Sequence, residues 1–375
     1  MSTIALDATY TVDPEPSGIA VYSRKLVEAL AGLETPHRFL LCYRLSRFSR
    51  RRDFLRPAPR AGSPESQFSV RFYQEPLTFW LPWQADLFHS LAQRPPGFRF
   101  KREIVTVFDI FPITGHDYST VEFQRKFSAL LREAVERAAC VITASHYTAG
   151  QLLAHTSASR KKLRVVPLGV DLPALTLSPD ERRQARARLV GDGHQLILSV
   201  GVIQTRKNTL NALRALESLP EQYRLILAGG DGHGSEIVHA YIRRQGLGSR
   251  VQVRGYVSTD ELRLLYQSAS VMLFPSLEEG FGLPVLEAMA NGLPVVASQT
   301  ASLPEVGGDA ALYVDPHDPR NIADKVRRAV EDSELREKMI QKGLAGPRLL
   351  LAAGCGGDAS GLQRSAGEVG LTIVD

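Results

Sequence analysis

Short apolar runs alternate along most of the chain with longer segments whose apolar residues recur every three or four positions. The first pattern predicts buried strands, and the second predicts amphipathic helices. In the first half, strands are predicted at Thr3–Asp7, Arg38–Tyr43, Ser69–Tyr73, Asp86–His89, Ile104–Phe108 and Cys140–Ala144. Helices are predicted at Ile19–Leu30, at Phe123–Ala139 and directly after Ser145, a residue suited to capping.

The second half repeats the alternation more regularly, with strands at Leu196–Val200, Arg224–Ala228, Val251–Val253, Val271–Phe274 and Leu293–Ala297. Three capping patterns predict helix starts: Ser178-x-x-Glu181, Ser258-x-x-Glu261 and Ser302-x-x-Glu305. Alternating strands and helices predict parallel sheets covered on both faces. We therefore expect two doubly wound α/β domains, 1–172 and 173–342, joined through the proline-bearing segment 173–178. The glycine-rich residues 343–375 are expected to form a poorly ordered tail.

The second half is organised around residues 276–296, which read SLEEGFGLPVLEAMANGLPVV. A strand leads into a glycine turn, and a helix then opens at Pro284 and closes at Gly292. Free N–H groups and the helix dipole make such a turn an anion site. Glu279 and Glu287 flank it, with seven residues between them. The pair would suit a phosphorylated, hydroxyl-rich ligand; the alternative is that both carboxylates only favour the helix N-terminus electrostatically.

Further candidate side chains follow other strands. Arg206 and Lys207 lie on the loop after Leu196–Val200, and Asp109 follows Ile104–Phe108. Open α/β sheets place their ligands at these carboxyl ends. Adjacent Arg and Lys side chains suit a diphosphate, and no aspartate cluster suited to magnesium is evident. The interpretation is a diphosphate site that needs neither a metal nor another cofactor.

Composition limits the class of protein. The chain has 375 residues, of which 44% are hydrophobic and 23% charged, as in soluble globular proteins. No apolar run approaches the roughly 20 residues that span a bilayer, and the N-terminus lacks a signal-peptide pattern. Three widely spaced cysteines, Cys42, Cys140 and Cys355, indicate neither a disulfide framework nor a zinc site. A cytoplasmic location is the expectation.

Charge adds a second candidate surface. The net charge is +5, and seven arginines lie between Arg44 and Arg60 against one acid, Asp53. Such a run is typical of a solvated face; the alternative is contact with an anionic membrane surface, which would place the protein peripherally at the inner face of the membrane. No nucleic-acid module accompanies the run, so no nucleic-acid partner is expected.

Together these motifs resemble family-four retaining glycosyltransferases, which have the GT-B fold. The resemblance is specific in Val165–Val330, through VVPLGVD, SVGVIQTRKN, LAGG, RGYV, EEGFGLPVLEAMANGLPVVAS and SLPEVGGDAALYVDP. It is weaker in the first half, through IALDATY, SGIAVYSRKLVEAL, TVFDIFPIT and ITASHYTAGQLL. The resemblance implies transfer of a hexose such as mannose from a nucleotide-diphosphate sugar to a glycan or lipid-linked acceptor, as in polysaccharide biosynthesis. An N-terminal acceptor domain and a C-terminal donor domain would face each other across a cleft.

The resemblance also implies roles for individual residues. Glu279 would lie beside the donor sugar, Arg206 and Lys207 would neutralise the leaving diphosphate, and Asp109 would act on the sugar or acceptor side. Glu287 would accept hydrogen bonds from ribose hydroxyls, and Tyr256 and Val257 would lie against the nucleobase. Gly18 would let the first helix approach the diphosphate. The implied donor-binding set is Gly18, Tyr256, Val257, Gly280, Phe281, Gly282, Leu283 and Glu287.

Three features depart from the family pattern. Gly201-Val202 replaces the usual Gly-Arg, so that Arg206 would substitute, and Phe108-Asp109 replaces the usual His-Asp, with His116 nearby in sequence. The glycine-rich tail does not resemble the family's closing helix. Phe108 and the atypical tail motivate one alternative, a non-catalytic nucleotide-sugar-binding protein of the same fold. A nucleotide-dependent dehydrogenase is disfavoured, because no G-x-G-x-x-G follows the first strand.

Overall fold

The computed structural model describes residues 1–13, 17–57, 67–93, 95–115, 117–170 and 176–345. They form two Rossmann-like α/β domains, each built on one parallel sheet, as predicted. The N-terminal sheet has seven strands in the order β3-β2-β1-β4-β5-β6-β7. Their bounds are β1 Thr3–Asp7, β2 Arg38–Arg44, β3 Phe68–Tyr73, β4 Leu87–Ser90, β5 Glu103–Val107, β6 Cys140–Thr143 and β7 Leu163–Val165.

Helices cover the N-terminal sheet. They are α1 Gly18–Ala31, α2 Phe111–Thr114, α3 Val121–Arg137 and α4 His146–His155. Side chains cap three of them: Ser17, Thr120 and Ser145 accept hydrogen bonds from the first-turn N–H groups of α1, α3 and α4. Short 3-10 helices at Thr9–Val12, Leu45–Asp53 and Leu81–Gln84 complete the connections.

The C-terminal sheet has six strands in the order β10-β9-β8-β11-β12-β13. Their bounds are β8 Gln195–Val200, β9 Tyr223–Ala228, β10 Val251–Gly255, β11 Val271–Phe274, β12 Val295–Ser298 and β13 Ala311–Val314. The helices are α5 Pro179–Val190, α6 Thr209–Glu217, α7 Ser235–Arg244, α8 Thr259–Ser268, α9 Leu283–Ala290, α10 Leu303–Gly307, α11 Pro319–Glu331 and α12 Ser333–Ala345. Both central strands, β8 and β11, bury apolar side chains on each face, which explains their continuous apolar sequence.

Two of the three predicted capping patterns are confirmed, and one is wrong. Ser178 and Glu181 form a reciprocal capping box, and the Ser258 side chain accepts the N–H of Glu261. The Ser302 side chain makes no capping bond to α10. Its hydroxyl donates instead to the carbonyl oxygens of Glu279 and Phe281, at 2.9 and 2.8 Å. Because these buried carbonyls need a donor, the tertiary contact overrides the local one.

The end of the described chain bears on the predicted tail. Helix α12 continues to Ala345, beyond the predicted start of the tail at Gly343. Gly343 lies close to the side chain of Met289 on α9, so the helix packs on the C-terminal domain. Residues 346–375 lie outside the described residues, as do residues 173–175 of the predicted linker and His116.

Candidate active site

The carboxyl ends of β8 and β11 bring together the two predicted loops of the C-terminal domain. These strands are direct neighbours in the sheet. The loop after β8 carries Arg206 and Lys207, and the turn after β11 carries Glu279 and the glycines. The backbone N–H of Leu277 donates to the carbonyl oxygen of Arg206 at 2.7 Å, which fixes the two segments side by side. The prediction that both belong to one edge of the sheet is confirmed.

Glu279 lies between the two cations. Its Oε2 is 3.1 Å from the Arg206 guanidinium, and its Oε1 accepts a hydrogen bond from Lys207 Nζ at 2.5 Å. Glu279 is buried, with 7% of its surface exposed, and Arg206 with 9%. Burial alone would raise the pKa of Glu279, but Lys207 and Arg206 hold this pKa below its ordinary value. The carboxyl group is therefore an anion that pairs with two cations at the sheet edge.

Aromatic rings and a carbonyl hold the cations in place. The Arg206 guanidinium lies over the ring of Phe111, 4.5 Å from its centroid, and donates to the carbonyl oxygen of Glu278 at 2.8 Å. Lys207 Nζ lies 4.6 Å from the ring centroid of Phe274. Burial lowers the pKa of Lys207, although Glu279 opposes this shift. A small depression beside Lys207 is lined by residues that include Gly201 and Ser276.

The glycine turn also packs against the N-terminal domain. A Cβ atom at Gly280 would overlap the carbonyl oxygen of Phe108 and crowd the side chain of Asp109, so only glycine allows this approach. The carbonyl oxygen of Gly280 accepts hydrogen bonds from the hydroxyls of Ser145, at 2.6 Å, and Thr148, at 3.0 Å. The turn is thus wedged between β5 and the N-terminus of α4.

This contact brings Asp109 to the site. Burial raises the pKa of Asp109; the nearby Glu279 raises it further, and Arg206 lowers it. Asp109 therefore belongs to the same electrostatic group as the three ionic side chains of the C-terminal domain. The preceding Phe108 packs edge-on against Tyr22 of α1, with ring centroids 5.0 Å apart. The structure thus shows Phe108 as an apolar side chain next to the site.

Helix α4 makes contacts that the sequence did not predict. The Tyr147 hydroxyl donates to both carboxylate oxygens of Glu278, at 2.9 and 3.0 Å. The Glu305 carboxylate accepts hydrogen bonds from the backbone N–H groups of His146 and Tyr147, at 2.8 and 3.3 Å. Glu305 was predicted to complete the capping box of α10, but it instead binds the N-terminus of a helix in the other domain. No sequence signal links residues so far apart along the chain.

Free backbone donors lie at the start of α9. The N–H groups of Phe281 and Gly282 donate to no acceptor within the described part of the chain. Gly282, the N-cap, has φ of 102°, a left-handed conformation that favours glycine. Leu283 and Pro284 then form the first turn of the helix. The predicted geometry, a glycine turn with free N–H donors at a helix N-terminus, is confirmed.

Glu287 lies farther along α9. The Tyr266 hydroxyl donates to Glu287 Oε2 at 2.7 Å. Burial raises the pKa of Glu287, and the Tyr266 hydrogen bond opposes this shift. Its Oε1 has no hydrogen-bond donor among the described residues, so one acceptor oxygen stays open.

The remaining predicted donor-binding residues lie at separate points. Tyr256 follows β10 and is 47% exposed, whereas Val257 is buried in the core beside Phe281 and Leu286. Strand β10 lies three positions from β11, which corresponds to about 14 Å along the sheet edge. Gly18 begins α1, and a Cβ there would meet no atom within 4 Å.

The arginine-rich segment is only partly free. Arg47 and Arg50 turn back to Asp13, at 3.0 and 3.6 Å. Among the described residues, no helix has the length and apolar composition needed to cross a membrane. The same residues contain no group of three or more His, Cys, Asp or Glu side chains placed to hold a metal ion.

Two facing Rossmann-like domains, with a glycine turn, a paired carboxylate and two cations at one sheet edge, define a GT-B glycosyltransferase. Comparisons with known families agree. The model of "Glycosyl transferases group 1" matches residues 180–345, and that of "Glycosyltransferase Family 4" matches residues 16–173. The chain belongs to glycosyltransferase family 4, and the enzyme is a glycosyltransferase.

Two curated relatives act in O-antigen synthesis by name. The O-antigen chain mannosyltransferase B of Escherichia coli is 30% identical over 313 residues, which are 80% of this chain and 78% of that protein. The O-antigen chain mannosyltransferase RfbU of Salmonella typhimurium is 28% identical over 59% of each chain. Several other relatives, such as the D-inositol 3-phosphate glycosyltransferase of Corynebacterium diphtheriae, align over about half of their own length.

Solved structures show the same fold. Sucrose-phosphate synthase from Thermosynechococcus elongatus superposes with a TM-score of 0.72 at 22% identity, with 100% of both chains covered. HepE of Anabaena, solved in complex with UDP and glucose, gives a TM-score of 0.69 at 17% identity, covering 92% of this chain and 94% of that one. At these identities the likeness concerns the architecture alone.

Proposed function

We propose that this glycosyltransferase moves mannose, with retention of configuration, from a nucleotide-diphosphate sugar to a glycan or lipid-linked acceptor. The observation that carries the proposal is the group formed by Glu279, Arg206 and Lys207 beside open backbone donors. Names of two relatives, both O-antigen mannosyltransferases, support the choice of sugar and the place in polysaccharide biosynthesis.

The reaction would break the bond between the anomeric carbon and the diphosphate oxygen, so that negative charge develops on the diphosphate. Cations fixed in advance at that position stabilise this charge without reorganising. Lys207 has three N–H donors, of which Glu279 needs one. The remaining donors, together with the N–H groups of Phe281 and Gly282, would contact diphosphate and sugar oxygens.

The nucleoside would follow the carboxyl edge of the C-terminal sheet. Glu287 would accept hydrogen bonds from ribose hydroxyls through its open Oε1, since the Tyr266 hydroxyl donates only to Oε2. Tyr256 is exposed at the end of β10 and would lie against the base, while the buried Val257 would support the wall behind it. Gly18, open at the start of α1, would let that helix approach the diphosphate from the opposite domain.

Asp109 would contact hydroxyls of the transferred sugar or of the acceptor. It reaches the site because Gly280 packs directly against the backbone of residue 108. The charge of the diphosphate would be met by side chains and N–H groups, so we propose a reaction that needs no metal ion.

Donor binding is tested by thermal shift with UDP, GDP, ADP and their common sugars, with and without EDTA. We expect a thermal shift with one nucleotide family, and EDTA should not change it. Lys207→Ala and Glu287→Ala should each lower the affinity for that nucleotide at least tenfold. A matched control is the exposed ion pair on α3, since Lys126→Ala and Glu122→Ala should leave the shift unchanged. A shift that requires a divalent ion would overturn metal independence.

Transfer is tested with GDP-mannose and the other donors on oligosaccharide and lipid-linked acceptors. The one-bond coupling between C1 and H1 in the NMR spectrum of the product then shows the anomeric configuration. An α-linked mannoside from the α-linked donor is expected; a β-linked product would contradict retention. Tight donor binding without transfer to any acceptor would instead favour the non-catalytic alternative.

A further inference from the structure

The two adjacent glutamates of the glycine turn have different partners. Glu279 pairs with Arg206 and Lys207 of its own domain. The Glu278 carboxylate accepts a hydrogen bond from the Tyr147 hydroxyl of the N-terminal domain, and it forms no ion pair with any residue in the described part of the chain. Arg206 donates to the backbone carbonyl oxygen of Glu278. The Glu278 carboxylate is thus not needed to hold either cation.

Glu278 lies where the two domains meet, beside Asp109. The Arg206 guanidinium that donates to the Glu278 carbonyl also lies over the ring of Phe111, two residues after Asp109. Burial raises the pKa of Glu278, the Tyr147 hydrogen bond opposes this shift, and the nearby Asp109 adds to it. Both carboxyl side chains are only partly buried. They are therefore close enough to interact electrostatically, and both stay accessible to a ligand.

Two tyrosines flank the Glu278 carboxylate. Besides Tyr147, Tyr118 lies nearby after α2, and a Cβ atom at Gly115 would overlap its ring, so glycine lets this ring lie against the backbone. Burial raises the pKa of Tyr118, and the charge of Glu278 raises it further. The Tyr118 hydroxyl donates to no group among the described residues. Aromatic side chains with a few fixed polar groups are typical of small-molecule sites.

The Glu278 carboxylate can accept more hydrogen bonds than it receives. An ionised carboxyl group offers about four lone-pair sites, whereas the Tyr147 hydroxyl has a single proton to share between the two oxygens. Neighbouring hydroxyls of a sugar ring can donate to both oxygens side by side, and hydrogen bonds to an ionised acceptor are among the strong ones. Tyr147 therefore fixes the orientation of the carboxylate and leaves most of its accepting capacity open.

We propose that Glu278 selects the acceptor by accepting hydrogen bonds from neighbouring hydroxyls of a neutral terminal sugar. In the proposed function, on which this selection rests, the diphosphate lies on the Lys207 side of the glycine turn. Asp109 and Glu278 then form the opposite side of the reaction site. Together with the bound diphosphate they would repel an acceptor that carries a carboxylate or a phosphate on its terminal sugar.

Saccharide binding tests this selection without turnover. Saturation-transfer NMR is measured with the methyl α-glycosides of mannose, glucose, galactose and N-acetylglucosamine, and with the uronic acid of the tightest binder, with and without UDP or GDP. The neutral glycoside should bind at least tenfold more tightly than its uronic acid. Glu278→Gln should weaken binding of the neutral glycoside at least fivefold and lower this preference at least threefold. If the wild type binds no neutral glycoside, or binds the uronic acid equally well, the proposal is overturned.

Two variants separate acceptor binding from the contact between the domains. Glu305 also binds α4 from the C-terminal domain, but through the backbone N–H groups of His146 and Tyr147. Glu305→Gln should therefore leave saccharide affinity unchanged, and a loss equal to that of Glu278→Gln would overturn the assigned role. Tyr147→Phe keeps the charge of Glu278, so it should weaken binding of the neutral glycoside a few fold and preserve the preference over the uronic acid.

Nucleotide binding distinguishes this selection from the proposed function. The thermal shift with a nucleoside diphosphate should be the same in Glu278→Gln and the wild type, which also shows that the variant folds. In the transfer assay, Glu278→Gln should raise KM for the acceptor at least fivefold and leave KM for the donor unchanged. A rise in donor KM alone would overturn the role of Glu278. Full nucleotide affinity in Lys207→Ala would instead refute the proposed donor site, while the NMR titration still decides whether Glu278 binds neutral sugars.

Discussion

Replacing Glu279 by Gln removes the carboxylate that two buried cations share. Removing one partner of a buried, hydrogen-bonded ion pair costs about 3–5 kcal/mol, because the remaining charge stays buried without a counter-charge. Arg206 and Lys207 have side chains only 11% and 14% exposed, so water replaces little of the lost interaction. In a domain of this size each kcal/mol lowers Tm by roughly 2–4 °C, so Glu279→Gln should melt roughly 6–20 °C lower.

The control for this prediction is the buried pair of the N-terminal domain. Glu103 and Arg137 lie 2.7 Å apart, with side chains 7% and 3% exposed. Glu103→Gln should therefore cause a comparable loss of stability, measured by calorimetry and urea unfolding. No part of the proposed donor site is altered by this second substitution.

A nucleoside diphosphate distinguishes the two variants. In Glu279→Gln the cations lack their anionic partner, so added diphosphate should raise Tm by more than in the wild type. In Glu103→Gln the rise should equal that of the wild type, because ligand stabilisation depends only on affinity for the folded state. A Tm of Glu279→Gln within about 2 °C of the wild-type Tm at pH 7 would refute the prediction. Equal stabilisation of both variants by diphosphate would also refute it.

Three further outcomes are expected. Because the pKa of Glu279 is lowered on folding, its contribution to stability is present above the unfolded pKa of about 4.3 and is lost as pH falls through the folded pKa. The difference in Tm between the wild type and Glu279→Gln should therefore become smaller below about pH 4. Gly280→Ala places a Cβ atom against a carbonyl oxygen of the facing domain and should lower kcat/KM more than tenfold, while Gly248→Ala, in open space, should leave it unchanged. Tyr147→Phe removes both hydrogen bonds to Glu278 and should cost about 1–3 kcal/mol in urea unfolding, with little change in donor affinity; an unchanged stability would show that water replaces the phenol.

Local signals were sufficient for most of the fold. Strand β11 and the opening of α9 at Pro284 were predicted because apolar runs, glycine and proline restrict the backbone near themselves. The same patterns placed Arg206 and Glu279 on neighbouring loops, since parallel strands end at a common edge. What these signals could not show is that one carboxylate is shared by two cations.

Where the local signals fail, tertiary contacts determine which hydrogen bonds form. The patterns Ser178-x-x-Glu181 and Ser302-x-x-Glu305 are equivalent in sequence, yet only the first forms a capping box. The first is exposed, so its side chains have no stronger partners than the helix end. Ser302 is fully buried and meets two carbonyl oxygens, and Glu305 meets the N-terminus of α4. Those partners come from other segments, which a local pattern does not contain.

The contacts around α4 show that the site requires both domains. The N-terminus of this helix holds the Gly280 carbonyl through Ser145 and the Glu305 carboxylate through two N–H groups. An anion at a helix N-terminus is favoured by the helix dipole, so α4 binds the C-terminal domain at two separate points. Opening the cleft would break these bonds and move Asp109 away from Arg206 and Glu279. The electrostatic group that we propose to bind the diphosphate and sugar includes Asp109 of the N-terminal domain, so it is complete only in the arrangement of the two domains that these bonds hold.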